Sequence, residues 1–173
     1  MGYENAPATK MLATHCACCG KDLLDAKSVE IGMGPVCRKK HGYNVQVSED
    51  ARKQANVLIY QIALERSQGA VSLSALVAAA QLDALGFTAL SALLIKRLAD
   101  VRLVETNGEI AIFSPYNDNA VSAFRMLPGR KWDKDAKCNR IPATAQAKTA
   151  LLGILRTYYP GKLAIGSKGP FTL

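Results

Sequence analysis

Four of the five cysteines of this chain and both of its histidines fall between His15 and His41. Their spacing is Cys16-x2-Cys19-Gly20, then Cys37-x3-His41. Two thiols in a Cys-x-x-Cys converge on one ion when a tight turn joins them, and Gly20 supplies the backbone freedom that such a turn needs. Cys37 and His41 are four apart, so a helix stacks them on one face as a second pair. Four N/S ligands satisfy the tetrahedral preference of Zn2+ and leave no position open for water, so the expected role of the metal is structural. Competing readings fit less well. Core thiols would not cluster with both histidines. A disulfide framework expects an oxidising compartment, and no signal peptide precedes the cluster. A redox Cys-x-x-Cys has no need of the later pair. His15 and Cys18 stand beside the nominal ligands and each can replace one; Cys18, between the knuckle positions, reads as a bystander.

The run Cys16-Ala-Cys-Cys-Gly-Lys-Asp-Leu23, then Ser28, then Gly32-Met-Gly34-Pro35-Val-Cys37, resembles a small zinc-knuckle family of uncharacterised domains common in phage and mobile-element proteins. The resemblance covers residues 15–42. It implies a Cys-x-x-Cys-Gly pair that leads through a short hairpin to Gly-x-Gly-Pro-x-Cys at a helix start. It brings a fold and a context, and no established activity.

At 173 residues the chain has room for two or three small modules, and with 49% apolar residues it can build a real core. The longest apolar runs, near 75–80 and 90–95, are short and interrupted, which predicts no membrane span and a soluble, cytoplasmic protein. The net charge is +8. From Val121 to Leu173 there are ten Lys or Arg against two Asp, so the first 120 residues are balanced and the whole excess belongs to the last third. A basic module is the electrostatic footprint of a phosphate-backbone binder. The plainer explanation is a solvated basic face that favours solubility.

Residues 1–12 lack periodicity and read as a flexible tail. After the knuckle, Ser48 caps a helix that carries Ala55, Leu58, Ile59, Ile62 and Ala63 on one side and ends at Gly69. A second helix spans about Ser72 to Gln81 and a third Thr88 to Ala99. Asn107-Gly108 then joins two β-prone runs, the strongest short-range hairpin signal available. Three helices followed by a hairpin is the winged-helix order, and residues 48–113 look like such a domain. In a DNA-binding version the third helix enters the major groove. Here it offers only Thr88, Ser91, Lys96 and Arg97 as polar reach, and a helix so apolar reads as core or partner interface.

In the basic third, a helix over Asn119–Met126 leads to a hairpin in which Trp132-Asp133 and Arg140-Ile141 flank a short turn, and a second helix runs from about Ala145 to Tyr159. The hairpin displays Arg130, Lys131, Lys134, Lys137 and Arg140. Residues 109–160 resemble the HARP-type module found beside annealing helicases, which runs strand, helix, hairpin with a basic residue before an aromatic-Asp pair, then helix. The resemblance implies contact with branched or single-stranded DNA, with Arg130, Lys131, Trp132, Asp133 and Lys137 in the hairpin positions. The chain departs from that pattern at Asn139, where the family has a second aromatic. The strand Ile110–Phe113 fits either the wing or this module. Independently of the family, an aromatic among cations suits single-strand binding, since the ring stacks on any base while Lys and Arg follow the phosphates. Trp132 read as a plain core anchor is the competing assignment.

An enzyme is hard to assemble from this inventory. Both histidines belong to the knuckle region, the carboxylates are scattered, and Cys138 has no histidine partner. The expectation is an α+β protein in three parts after its tail. These are a treble-clef-like zinc module over 13–46, a winged-helix-like three-helix domain with hairpin over 47–108, and a basic helix–hairpin–helix module over 109–173. The expected ligands of Zn2+ are Cys16, Cys19, Cys37 and His41. The expected function is non-catalytic binding of nucleic acid, DNA above all, through Arg130, Lys131, Trp132, Lys134, Lys137 and Arg140, without membrane or small-molecule substrate. The alternative is an adaptor or inhibitor docking on a host nucleic-acid-processing or defence complex.

Overall fold

A computed structural model describes residues 12–173; of the expected tail only Leu12, which is exposed, falls within them. The chain is α+β, and the described residues form seven helices and one six-stranded sheet. Helices α1 (Ala26–Ile31) and α2 (Pro35–Lys40) belong to the knuckle. Helices α3 (Glu49–Ser67), α4 (Leu73–Ala84) and α5 (Thr88–Leu98) follow. Strands β1 (Val101–Thr106) and β2 (Glu109–Phe113) come next, then α6 (Asp118–Arg125), β3 (Lys131–Asp133) and β4 (Cys138–Pro142). Helix α7 (Ala145–Tyr158) and strands β5 (Leu163–Gly166) and β6 (Gly169–Thr172) complete the chain.

The helix starts are set locally. Asp25, Ser48, Ser72, Asn117 and Thr144 each accept a hydrogen bond from a backbone N–H in the first turn of α1, α3, α4, α6 and α7, a cap typically worth about 1 kcal/mol. The Asn107-Gly108 hairpin forms where expected, with both residues at positive φ (51° and 75°) and Thr106 paired to Glu109. In the knuckle the structure corrects the expected hairpin between the ligand pairs. The connection there is α1, because the Asp25 carboxylate caps a helical turn at Ser28, and one antiparallel bridge, His15 to Asp22, flanks the Cys16–Cys19 turn instead.

The sheet order is β3-β4-β2-β1-β5-β6, antiparallel throughout except for the parallel pair β1–β5. Strand β2 therefore serves both assignments open to it, pairing with β1 on one side and β4 on the other. The β5–β6 hairpin, unanticipated from sequence, closes the far edge. Two apolar cores result. One joins knuckle residues Cys16, Cys18, Met33 and Tyr43 to Ile59, Ile62, Leu76, Leu82, Phe87, Leu90 and Leu94 of the three-helix region. The other packs Ile110, Ile112 and Ile141 of the sheet under Phe124 of α6 and Leu151 and Leu155 of α7. The knuckle and the helical bundle thus share one interior, and the β1–β2 hairpin is the middle of a sheet completed by the C-terminal strands.

Candidate metal centre and basic hairpin

The knuckle turn closes by Gly20 N–H donating to the Cys16 carbonyl at 2.9 Å, with Gly20 at φ 71°. Ala17 N–H donates to the Gly32 carbonyl at 2.9 Å and so presses the turn onto the end of α1. Gly34 and Pro35 start α2, which carries Cys37 in its first turn and ends at His41. Ser28, part of the sequence motif without an evident role, turns out to be a brace. It is fully buried, its hydroxyl donates to Asp25 Oδ2 at 2.6 Å, and Arg38 Nη1 donates to Ser28 Oγ at 3.2 Å and to the Met33 carbonyl at 2.6 Å. The brace ties α1 to α2 and fixes where the second ligand pair stands.

Two overlapping groups of ligand atoms result. The sulfurs of Cys16, Cys19 and Cys37 lie within 4.8 Å of one another, and so do the ligand atoms of Cys18, Cys37 and His41. Cys37 belongs to both, and Cys16, Cys19, Cys37 and His41 lie close enough to bind a metal ion. Thiolates bonded to Zn2+ at about 2.3 Å in a tetrahedron stand roughly 3.8 Å apart, within that spread. The donor chemistry fits as well. Burial pushes the Cys37 thiol far up, and the neighbouring thiols add to the effect. Burial also raises Cys18, against the pull of Arg97. Cys16 is different: burial acts upward, yet the backbone N–H groups of Cys19, Gly34 and Cys18 hold it below its ordinary value. Crowded thiols in an apolar setting cannot all ionise by themselves, and a divalent cation removes that conflict.

His15 does not join. Its Nδ1 is 2.8 Å from Thr14 Oγ1 and its Nε2 is 3.4 Å from Asp22 Oδ1. Cys18 is more than a bystander. It is fully buried, and Arg97 Nη1 reaches from the end of α5 to its carbonyl oxygen and, at 3.2 Å, to its sulfur. The sequence carried no local sign of this contact, since 79 residues separate the partners.

The hairpin residues are divided by the sheet. Residues directly paired across strands share a face. Lys131 pairs with Arg140 and Arg140 with Ala111, whereas Trp132 pairs with Asn139 and Asn139 with Ile112, on the side covered by α6 and α7. Lys131 and Arg140 therefore lie on the face opposite Trp132. Asp133 organises the turn. Its Oδ1 accepts from the N–H groups of Asp135 (3.1 Å) and Ala136 (2.9 Å), and its Oδ2 accepts from Arg140 Nε at 2.7 Å. The Ala136 N–H first, and Arg140 after it, hold the Asp133 carboxyl below the usual carboxylate range. Lys134 and Lys137 sit in this turn, exposed, with Lys137 at φ 52°. Asn139, the departure from the aromatic pattern, is 8% exposed and accepts from Arg130 Nε at 2.8 Å. Trp132 is 49% exposed, so much of its ring is not spent on the core. Cys138 is buried, and burial raises its thiol, as suits a small strand residue. On α5, Leu90, Ser91, Leu94 and Leu98 are buried in the bundle core.

Among the described residues no helix is long and apolar enough to cross a membrane. No curated protein and no solved structure matches the chain. Residues 6–42, which hold the whole candidate metal centre, match a family described as a family of unknown function (DUF6011).

Proposed function

We propose that this chain is a non-catalytic nucleic-acid-binding protein of phage or mobile-element type, with DNA as its ligand and a structural Zn2+ in its knuckle. The observation that carries the reading is the basic hairpin. Lys131, Lys134 and Lys137 are exposed on the hairpin that carries a half-exposed Trp132, Lys131 on the face opposite the ring, in the part of the chain that holds all of the excess positive charge. Cations in this number attract a phosphate backbone, and an accessible indole stacks on a base of any sequence. The order β2, α6, β3–β4, α7 supports a HARP-like module, in which Asn139 in place of an aromatic orients Arg130. Cys16, Cys19, Cys37 and His41 would hold the ion, which when bound supplies a four-coordinate cross-link in place of a larger core. The adaptor alternative leaned on the apolar character of α5, and that character is absorbed by packing within the bundle.

The test is fluorescence anisotropy of the zinc-loaded protein with single-stranded, duplex and forked DNA at two salt concentrations. Micromolar or tighter binding that weakens steeply with salt is the expected result. Charge reversal of Lys131 and Lys134 should weaken it on all sequences alike, by roughly tenfold at moderate salt. Absence of binding at low salt overturns the reading.

A further inference from the structure

The knuckle, the C-terminal ends of α3 and α5, and the β5–β6 hairpin enclose a cleft of about 760 Å3. Its charged lining is Arg66, Arg97 and Lys162 against Asp100, and His15 lines it as well. These residues come from different elements, so no local rule brought three cations together. The negative groups nearby are already engaged. Asp100 Oδ2 accepts from Leu163 N–H at 3.0 Å, and its Oδ1 is 3.9 Å from Lys162 Nζ. Glu65, beside Arg66 in sequence, turns its carboxylate to Ser72 and Ser74. Arg97 is steadied at the cleft by its bonds to Cys18. Arg66 is the telling residue. Its Nε is buried and lacks a hydrogen-bond partner, the one such side-chain atom among the described residues. A buried guanidinium donor left unpaired costs more than an ordinary hydrogen bond contributes, and a bound ion or water is among the explanations such an atom calls for. Glycine at position 20 keeps space there, since a Cβ would lie 3.1 Å from Arg66 Nη1.

We propose that this cleft is a binding site for a phosphate monoester, held by Arg66, Arg97 and Lys162. Three cations against one carboxylate leave an excess of two, which matches a monoester of roughly −2 rather than an internal diester of −1. The volume also has room for an attached nucleoside. The monoester is either a free mononucleotide or the phosphorylated end of a strand. The site is separate from the hairpin, because β3 and β6 are the opposite edges of the sheet, five strand spacings or roughly 24 Å apart.

Two measurements on the full-length, zinc-loaded protein test it. Calorimetry with inorganic phosphate and with a nucleoside 5′-monophosphate reads the free ligand, and anisotropy with 5′-phosphorylated and 5′-hydroxyl versions of one oligonucleotide reads the strand end. Expected is heat with the monophosphate, or a preference for the phosphorylated end of about tenfold, falling by about that factor in Arg66→Gln and in Lys162→Gln. Heat without end preference assigns a free nucleotide; end preference assigns a strand terminus. Lys131→Glu with Lys134→Glu should weaken both oligonucleotides equally and leave their ratio unchanged. Failure of the hairpin reading is thus a parent protein without backbone affinity, or one whose backbone affinity survives the double charge reversal, with monophosphate binding intact; failure of this one is backbone affinity with no response to the monoester. The absence of both heat and end preference overturns the proposal, as does unaltered binding in Lys162→Gln, whose exposed side chain can be changed without touching either core.

Discussion

Cys37 is the residue on which the knuckle turns, because it alone belongs to both groups of ligand atoms. Two single substitutions separate the possible fourth ligands. His41→Ala should lose zinc to a chromophoric chelator far more readily than the parent, whereas Cys18→Ser should retain one ion per chain; the opposite pattern makes Cys18 the ligand and His41 its neighbour. In the hairpin, Asp133 gives a pH signature. A carboxyl held below its unfolded value contributes stability that is fully present above the ordinary carboxylate range and is lost as pH falls through its folded value. The turn should therefore loosen below about pH 4, seen as a change in Trp132 emission, and Asp133→Asn should abolish that transition. Both residues were visible in the sequence. Their settings were not: the Arg97 contact to Cys18, the Ser28 brace and the Asn139–Arg130 bond depend on partners that only the tertiary fold brings near.

Among the elements, those with strong local signals were legible. Helix α3 lies between Ser48 and Gly69 as its cap and terminator require, and the β1–β2 turn is at Asn107-Gly108. Helix α1 was missed because six residues are too few to show a periodicity. Strands β5 and β6 were missed because each has four residues, and because β5 depends on a parallel pairing with β1 more than fifty residues away. Close approach between elements is equally invisible in sequence. The end of α1 touches α3 at Gly32, φ 81°, where an added Cβ would be 2.8 Å from Ala63 Cβ and 3.0 Å from Tyr60 Cα. Gly32→Ala should cost about 2–4 kcal/mol, from left-handed backbone strain plus overpacking, measurable by chemical denaturation. A loss under 1 kcal/mol would mean that α1 can slide along α3.

At the scale of the whole molecule, the knuckle shares its interior with α3, α4 and α5, so a metal ion there would stabilise more than its own loop. Strong chelation should lower Tm by roughly 10 °C or more, at about 2–4 °C per kcal/mol for this size, and remove helical ellipticity beyond that of α1 and α2. A melting curve indifferent to the chelator would sink the zinc assignment. The strand order has a consequence of another kind. As the chain leaves the ribosome, β1 and β2 are the first strands to emerge and can pair before the others; β3–β4 adds beside β2, and β5–β6 beside β1. The sheet can grow outward in both directions from its oldest pair, and no contact made early has to be undone to admit a later strand.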